Sequence, residues 1–304
     1  MHEICRGLEF PEGPIALADG SVLLVEIKRG TLSRVTPDGR IEVVADCGGG
    51  PNGAALGPDG RVYVCNNGGF GWGEIDGFTR STGIAPHNTA GSIQAVDLKT
   101  GTVETLYTAC NGETLKSPND LVFDAHGGFY FTDLGHRKGR SLDRGGVYYA
   151  QPDGSAIREI AWPVDTANGV GLSADGGRLY VAETFSAKLR TWEIAAPGVL
   201  GPTIDPFHVG DILYGFSGYE RLDSLALDSE GNILLATLGT GCVSAITPDG
   251  RLHGTFPVPE YDPMVTNVCF GGPDLRTLYI TSSGRGRLYT MPWYCPGLKL
   301  NYAA

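Results

Sequence analysis

The sequence predicts an all-β fold, a six-bladed β-propeller with four antiparallel strands per blade around a central metal channel. Three observations lead there. A short unit recurs six times: an acidic or amide residue, an apolar run, a turn residue seven positions after the first, and a second apolar run. The leading residues are Glu12, Asn52, Asn119, Asn168, Asp223 and Asn267, and the turns fall at Asp19, Asp59, His126, Asp175, Glu230 and Asp274. Their spacing of 40 to 67 residues is that of propeller blades. Finally, 46 glycines and 19 prolines in 304 residues, without a collagen-like period, place many turns between short strands. Residues 1–304 are expected to form a single propeller domain whose inner strands start near 12, 52, 119, 168, 223 and 267.

The first unit passes Asp19-Gly20 into residues 21–26, then 31–35 and 41–45, with Gly30 and Pro37-Asp38-Gly39 as turns. That is a four-stranded meander. The second turns at Asp59-Gly60 into 62–65 and resumes at 92–97 and 102–108. Residues 66–91, rich in glycine and aromatics, read as a long loop and not as a strand pair. The third turns at His126-Gly127 and continues through 146–150 and 156–161. The fourth continues through 179–182 and 189–194, and a Pro/Gly-rich linker is expected over 196–222. The fifth continues through 233–236 and 242–247, the sixth through 278–281 and 286–291. The sixth lacks an outer strand, which residues 3–9 are expected to supply, closing the ring. No such sheet buries its own faces; stacking side by side buries them in pairs.

Composition sets the outer bounds. The 23 basic and 34 acidic residues leave a net charge of −11, which argues against partners such as nucleic acid or an anionic membrane. The seven cysteines match no paired spacing and read as free thiols in a reducing, cytoplasmic setting. No basic-then-apolar leader opens the chain, and no apolar run is long enough to span a bilayer. A monomer or small homo-oligomer is expected.

Inner strands line a propeller's channel, so residues at the same repeat position meet at the same height. Two carboxylates and four amides thus face one another. Close carboxylates repel until a cation joins them. An all-oxygen set without His or Cys suits one hard divalent cation, calcium best, with Mg2+, Mn2+, Zn2+ and Fe2+ as alternatives. The histidines, His2, His87, His126, His136, His208 and His253, occupy no leading position. They read mostly as surface or loop groups, with His87 and His136 in loops on the mouth side. Asn52 and Asn267 are candidate substrate contacts. Phe70, Trp72 and Phe78, with Tyr214, Phe216 and Tyr219, are candidates to cap the channel mouth. Trp72 and Phe216 would then touch substrate.

Glu12-Gly13-Pro14, Ser117-Pro118-Asn119-Asp120, Tyr130-Phe131-Thr132-Asp133, Ala167-Asn168-Gly169 and Leu222-Asp223-Ser224-Leu225-Ala226-Leu227-Asp228 occur in that order. Over about residues 8–293 the chain resembles the senescence marker protein/gluconolactonase family. The resemblance implies a six-bladed propeller with a divalent metal, often calcium, that hydrolyses sugar lactones; some relatives act on organophosphates or other esters. It implies Glu12, Asn168 and Asp223 as metal ligands, and Asn119 as an amide that binds the metal, directly or through water, and contacts substrate. Where some sugar-lactone members place an arginine on substrate hydroxyls, this chain has Ser117, a candidate substrate contact, and the departure argues against gluconolactone itself as substrate.

The expected function is a metal-dependent lactonase that opens a sugar lactone or related small lactone to the hydroxy acid. Asp223 would orient and deprotonate the attacking water, and Asn119 and Asn168 would fix substrate oxygens. Asp120 reads either as a group orienting Asn119 or as a plain strand-start residue. The alternatives are an esterase or phosphotriesterase using the same metal, and a non-catalytic binding scaffold with a structural cation. There is no G-x-S-x-G elbow for a serine hydrolase, and no Gly-rich strand-to-helix loop for a nucleotide enzyme.

Overall fold

The computed structural model describes residues 1–204 and 209–303. His208 lies outside them. The chain forms six blades. Their inner strands are Pro11–Ala16, Pro51–Leu56, Pro118–Phe123, Ala167–Leu172, Arg221–Leu227 and Val265–Gly271. Each contacts the next, and the last contacts the first, so they form a closed ring. Blades one, two, three and five are antiparallel four-stranded meanders.

Blade six is completed by His2–Arg6, which pairs antiparallel with Arg287–Pro292. The N-terminal segment therefore closes the ring as its sequence position suggests. Blade four differs from expectation. Its outer strand, Asp211–Gly215, lies inside the segment read as a linker and pairs with Lys188–Ala196. A two-residue strand, Val199–Leu200, pairs there as well.

Strand alternation builds the core. Successive residues of a strand point to opposite faces, and here each face meets a different neighbour. Val22 and Leu24 pack towards blade six, Leu23 and Val25 towards blade two. Leu179 and Val181 join the blade-three side, Tyr180 and Ala182 the blade-five side. The result is six apolar clusters, one at each junction between blades. The seven cysteines are free, and all but the half-buried Cys269 are buried. Among the described residues, no helix is long and apolar enough to cross a membrane.

Candidate metal centre and channel mouth

At the start of every inner strand the pairing slips. The irregularity falls between Glu12 and Ile15, Pro51 and Ala54, Pro118 and Leu121, Ala167 and Val170, Leu222 and Leu225, and Val265 and Asn267. A bulge re-aims side chains and frees them from the ladder. All six leading residues sit at these bulges, and all six are buried.

Two glycines let the strands converge. A Cβ on Gly13 would lie 2.6 Å from Ala54 N in the next blade, and one on Gly169 would lie 2.6 Å from Ser224 Cα. Any side chain there would force the blades apart. Behind the bulges, the last residue of the second strand pins the incoming chain. Glu26 accepts from Glu9 N at 2.7 Å, and Asn66 from Gly50 N at 2.9 Å. Asp133 accepts from Lys116 N at 2.8 Å and Ser117 N at 2.9 Å, and Glu183 from Asp165 N at 3.1 Å. Of these four groups, only Asp133 lies in a motif that the sequence brings out.

Burial raises the Glu12 carboxyl well above its ordinary range, and the charges of Asp223 and Asp120 add to that rise. Asn267 Nδ2 and Gly13 N each donate to Glu12 Oε2 at 2.6 Å. Asp223 is pushed up to about 8, chiefly by burial, with the Asn168 amide opposing and Asp120 reinforcing. Asp120 is pushed up to about 6 by burial, against hydrogen bonds from Leu121, Ser224 and Val170. Asp120 is thus a third acid in the same field.

The amides complete the picture. Asn168 Nδ2 donates to Thr184 Oγ1 at 3.0 Å, which fixes the amide's orientation. Its Oδ1, and that of Asn119, are buried with no hydrogen-bond partner. Buried oxygens of this kind are rare. Two orphaned amide oxygens beside three carboxyls that resist ionisation make a site that a hard cation would satisfy. Among the described residues, no three His, Cys, Asp and Glu side chains form a metal-binding group by themselves; the candidate donor set depends on amides. Asn267 uses both ends of its amide within the protein, since Val268 N donates to its Oδ1 at 2.7 Å. It therefore positions Glu12. The Asn52 side chain is buried and has no hydrogen-bond partner among the described residues.

The segment read as a loop is instead a hairpin, Phe70–Ile75 paired with Phe78–Ile84. Its turn, Asp76-Gly77, has φ of 55° and 80°, the backbone of a two-residue type I′ turn. The hairpin leaves blade two and crosses the mouth. The Trp72 ring packs on Phe10, two residues before Glu12, at 4.8 Å. Thr79 N donates to Gly284 O of blade six at 2.9 Å, and Phe78 meets Tyr261 edge-on at 6.0 Å. Phe216 does not join this cover. It stacks edge-on with Tyr214 at 4.8 Å, and both pack at the junction of blades four and five. Tyr219 is exposed. Ser117 is buried, held by its backbone to Asp133. His136 is buried on the mouth side of blade three. Its Nε2 has no partner, and burial pushes its imidazole down.

The opposite end of the inner-strand ring is apolar. A cavity of about 120 Å³ lies below Asp120 and Asn267, lined by Ile15, Leu56, Val122 and Leu172. Residues 298–303 close it. Leu298 N donates to Leu227 O at 2.9 Å, Asn301 Nδ2 to Phe123 O at 3.0 Å, and the Tyr302 ring meets Phe123 at 5.9 Å.

Comparison with known proteins adds to this geometry. A family profile described as SMP-30/Gluconolactonase/LRE-like region matches residues 10–284. A lactonase, drp35 of Staphylococcus saprophyticus, is 32% identical over 260 residues, covering 84% of this chain and 72% of the relative. A gluconolactonase structure from Xanthomonas campestris superposes with a TM-score of 0.74 at 24% identity, covering 95% of this chain and 88% of that one. The calcium-binding protein regucalcin from Agrobacterium tumefaciens superposes with a TM-score of 0.73 at 17% identity, covering 99% and 100%. At these identities the two structures speak for the fold.

Proposed function

Because the chain belongs to the SMP-30/gluconolactonase/LRE-like family, we propose that it is a lactonase whose activity requires one divalent cation, calcium, held by Glu12, Asn119, Asn168 and Asp223. The observation that carries this reading is the pair of orphaned oxygens on Asn119 and Asn168 beside the raised carboxyls of Glu12 and Asp223. When bound, the cation would supply Lewis acidity towards the lactone carbonyl and balance the buried acids.

The chain's own groups carry the proton. A water oxygen adds to the carbonyl carbon while Asp223 accepts its proton on the carboxylate oxygen left free. The acyl carbon–ring oxygen bond then breaks. The departing oxygen takes the proton back, giving a hydroxy acid and restoring Asp223. Asn267, bonded to Glu12, holds that ligand in place. Asn119 and Asn52 have amide groups that no protein partner takes up, so they suit the ring oxygens of a substrate. Trp72 and Phe10 roof the mouth and exclude bulk water.

A pH-stat assay on five- and six-membered lactones, with calcium and after chelation, tests the reading. Turnover should appear with calcium and vanish without it. Hydrolysis of aryl esters or phosphotriesters with no lactone opened would favour the esterase alternative. Loss of thermal stability on chelation, with no turnover of any substrate, would leave a scaffold with a structural ion.

A further inference from the structure

The mouth carries a charge pattern that the lactonase reading leaves unused. The chain is acidic overall, with a net charge of −11, yet residues 137–144 of blade three read Arg-Lys-Gly-Arg-Ser-Leu-Asp-Arg. They include a second mouth hairpin, Arg137–Lys138 paired with Ser141–Leu142. Of the other cations on the mouth, Arg29 pairs with Glu26 at 3.1 Å, and Arg285 with Glu260 at 2.8 Å. Among the described residues, Arg80, Arg137, Lys138 and Arg140 have no acidic partner.

Two of these cations are held ready. The Arg137 guanidinium lies 4.3 Å from the ring centroid of the exposed Phe185. Phe185 follows Thr184, whose hydroxyl receives the amide of Asn168. Arg137 thus rests on the residue next to the one that orients Asn168. Arg80 lies on the strand Phe78–Ile84. That strand bonds to blade six through Thr79 and touches Arg137–Lys138 of blade three, on opposite sides of the ring. Phe78 lies under the Arg80 guanidinium at 5.9 Å, and Arg80 Nε is enclosed without a hydrogen-bond partner. Aromatic support lowers the cost of fixing a guanidinium. An unpaired, oriented guanidinium is the group best matched to a carboxylate or a phosphate.

We propose that this mouth recognises an anionic lactone, one whose ring carries a carboxylate or phosphate away from the carbonyl, with Arg137 and Arg80 as the specificity-determining residues. The proposal rests on the lactonase reading for the word lactone, but the anion preference can be measured without turnover. The cations that would meet the anion come from the two mouth hairpins.

The test uses the calcium-loaded protein with three six-carbon sugar lactones: neutral, with a terminal carboxylate, and with a terminal phosphate. One or both anionic lactones should exceed the neutral one in kcat/KM by about tenfold or more at low salt, with the advantage shrinking as salt rises. Arg137→Gln and Arg80→Gln should each lower kcat/KM for the preferred anionic lactone about tenfold more than for the neutral one. The arm with the larger advantage tells carboxylate from phosphate. Equal rates for all three, or equal losses in the variants, would overturn the proposal. If no lactone is opened, the lactonase reading fails, and calorimetry of the three ring-opened acids still decides this one. An acid with the second anionic group should bind about tenfold more tightly than the monoacid, and the double variant should erase the difference. Equal binding would refute the proposal.

Discussion

The two ends of the inner-strand ring are built from the same six strands and have opposite chemistry. Within one strand, Asn119 and Asp120 face the mouth end, and Val122 and Phe123 face the other. At the mouth end the pairing is bulged, three buried acids share one electrostatic field, and two amide oxygens lack partners. At the far end the ladder is regular, the lining is apolar, and residues 298–303 seal it. Position along a strand of six residues decides which groups are left unsatisfied. The end that tolerates irregular backbone holds the reactive groups, and the regular end supplies the rigidity that holds them in register.

The largest effects should come from disturbing the mouth end. Asp223→Asn should leave the fold intact and lower kcat by on the order of 10²-fold or more with calcium in excess. The same change removes one of the mutually repelling carboxyls, so the metal-free variant should melt above the metal-free parent. Calcium should then raise its melting temperature less. Full activity in the variant would remove Asp223 from the mechanism.

The pH dependence of the metal-free protein follows from the same groups. Asp223 and Asp120 have folded values of about 8 and about 6, above those of the unfolded chain. Between pH 4 and 8 the folded state therefore binds more protons than the unfolded state, and stability falls as pH rises through that window. Melts at pH 5 and pH 8 after chelation should show it. Calcium should blunt the difference, and a metal-free protein more stable at pH 8 would contradict that shared field.

The far end should answer differently. Truncation after Gly297 removes the seal over the apolar cavity. Stability should drop by about 1–3 kcal/mol, a few degrees of melting temperature, and binding of an apolar dye should rise. Turnover should change less than threefold. A loss of turnover as large as that of Asp223→Asn would show that the two ends are not separable.

The smallest expected effect lies at the roof. Trp72→Ala should raise KM about fivefold while kcat changes less than twofold, since the ring packs on Phe10 and takes no part in the proton transfer. Steady-state kinetics on the best lactone checks it.

The contrast also explains what the sequence discloses. The six leading residues repeat in phase with their turns, and phase survives in a linear string. Asp120 does not repeat, so its place in the acidic cluster emerges only when Gly53 and Ser224 come close to it. The Phe70–Ile84 hairpin carries Asp76-Gly77, the same turn signal used elsewhere in the chain, but it stands outside the repeat and reads as loop. The outer strands Asp211–Gly215 and Leu252–Pro257 are edge strands that remain half exposed, with little apolar alternation to mark them. Phe216 and Trp72 look alike as aromatic residues in Gly-rich segments. Only packing separates a side chain between blades from one over the mouth.

Residues 2–6 pair with a strand that lies at the other end of the ring in sequence. During synthesis they emerge long before Arg287–Pro292 and must wait, edge unsatisfied, until the sixth blade exists. The latch therefore acts late, whatever order the other blades follow, and until the sixth blade exists residues 2–6 have no strand to pair with. Until the circle shuts, that segment and the unpaired side of Arg287–Pro292 are both free to pair with another chain.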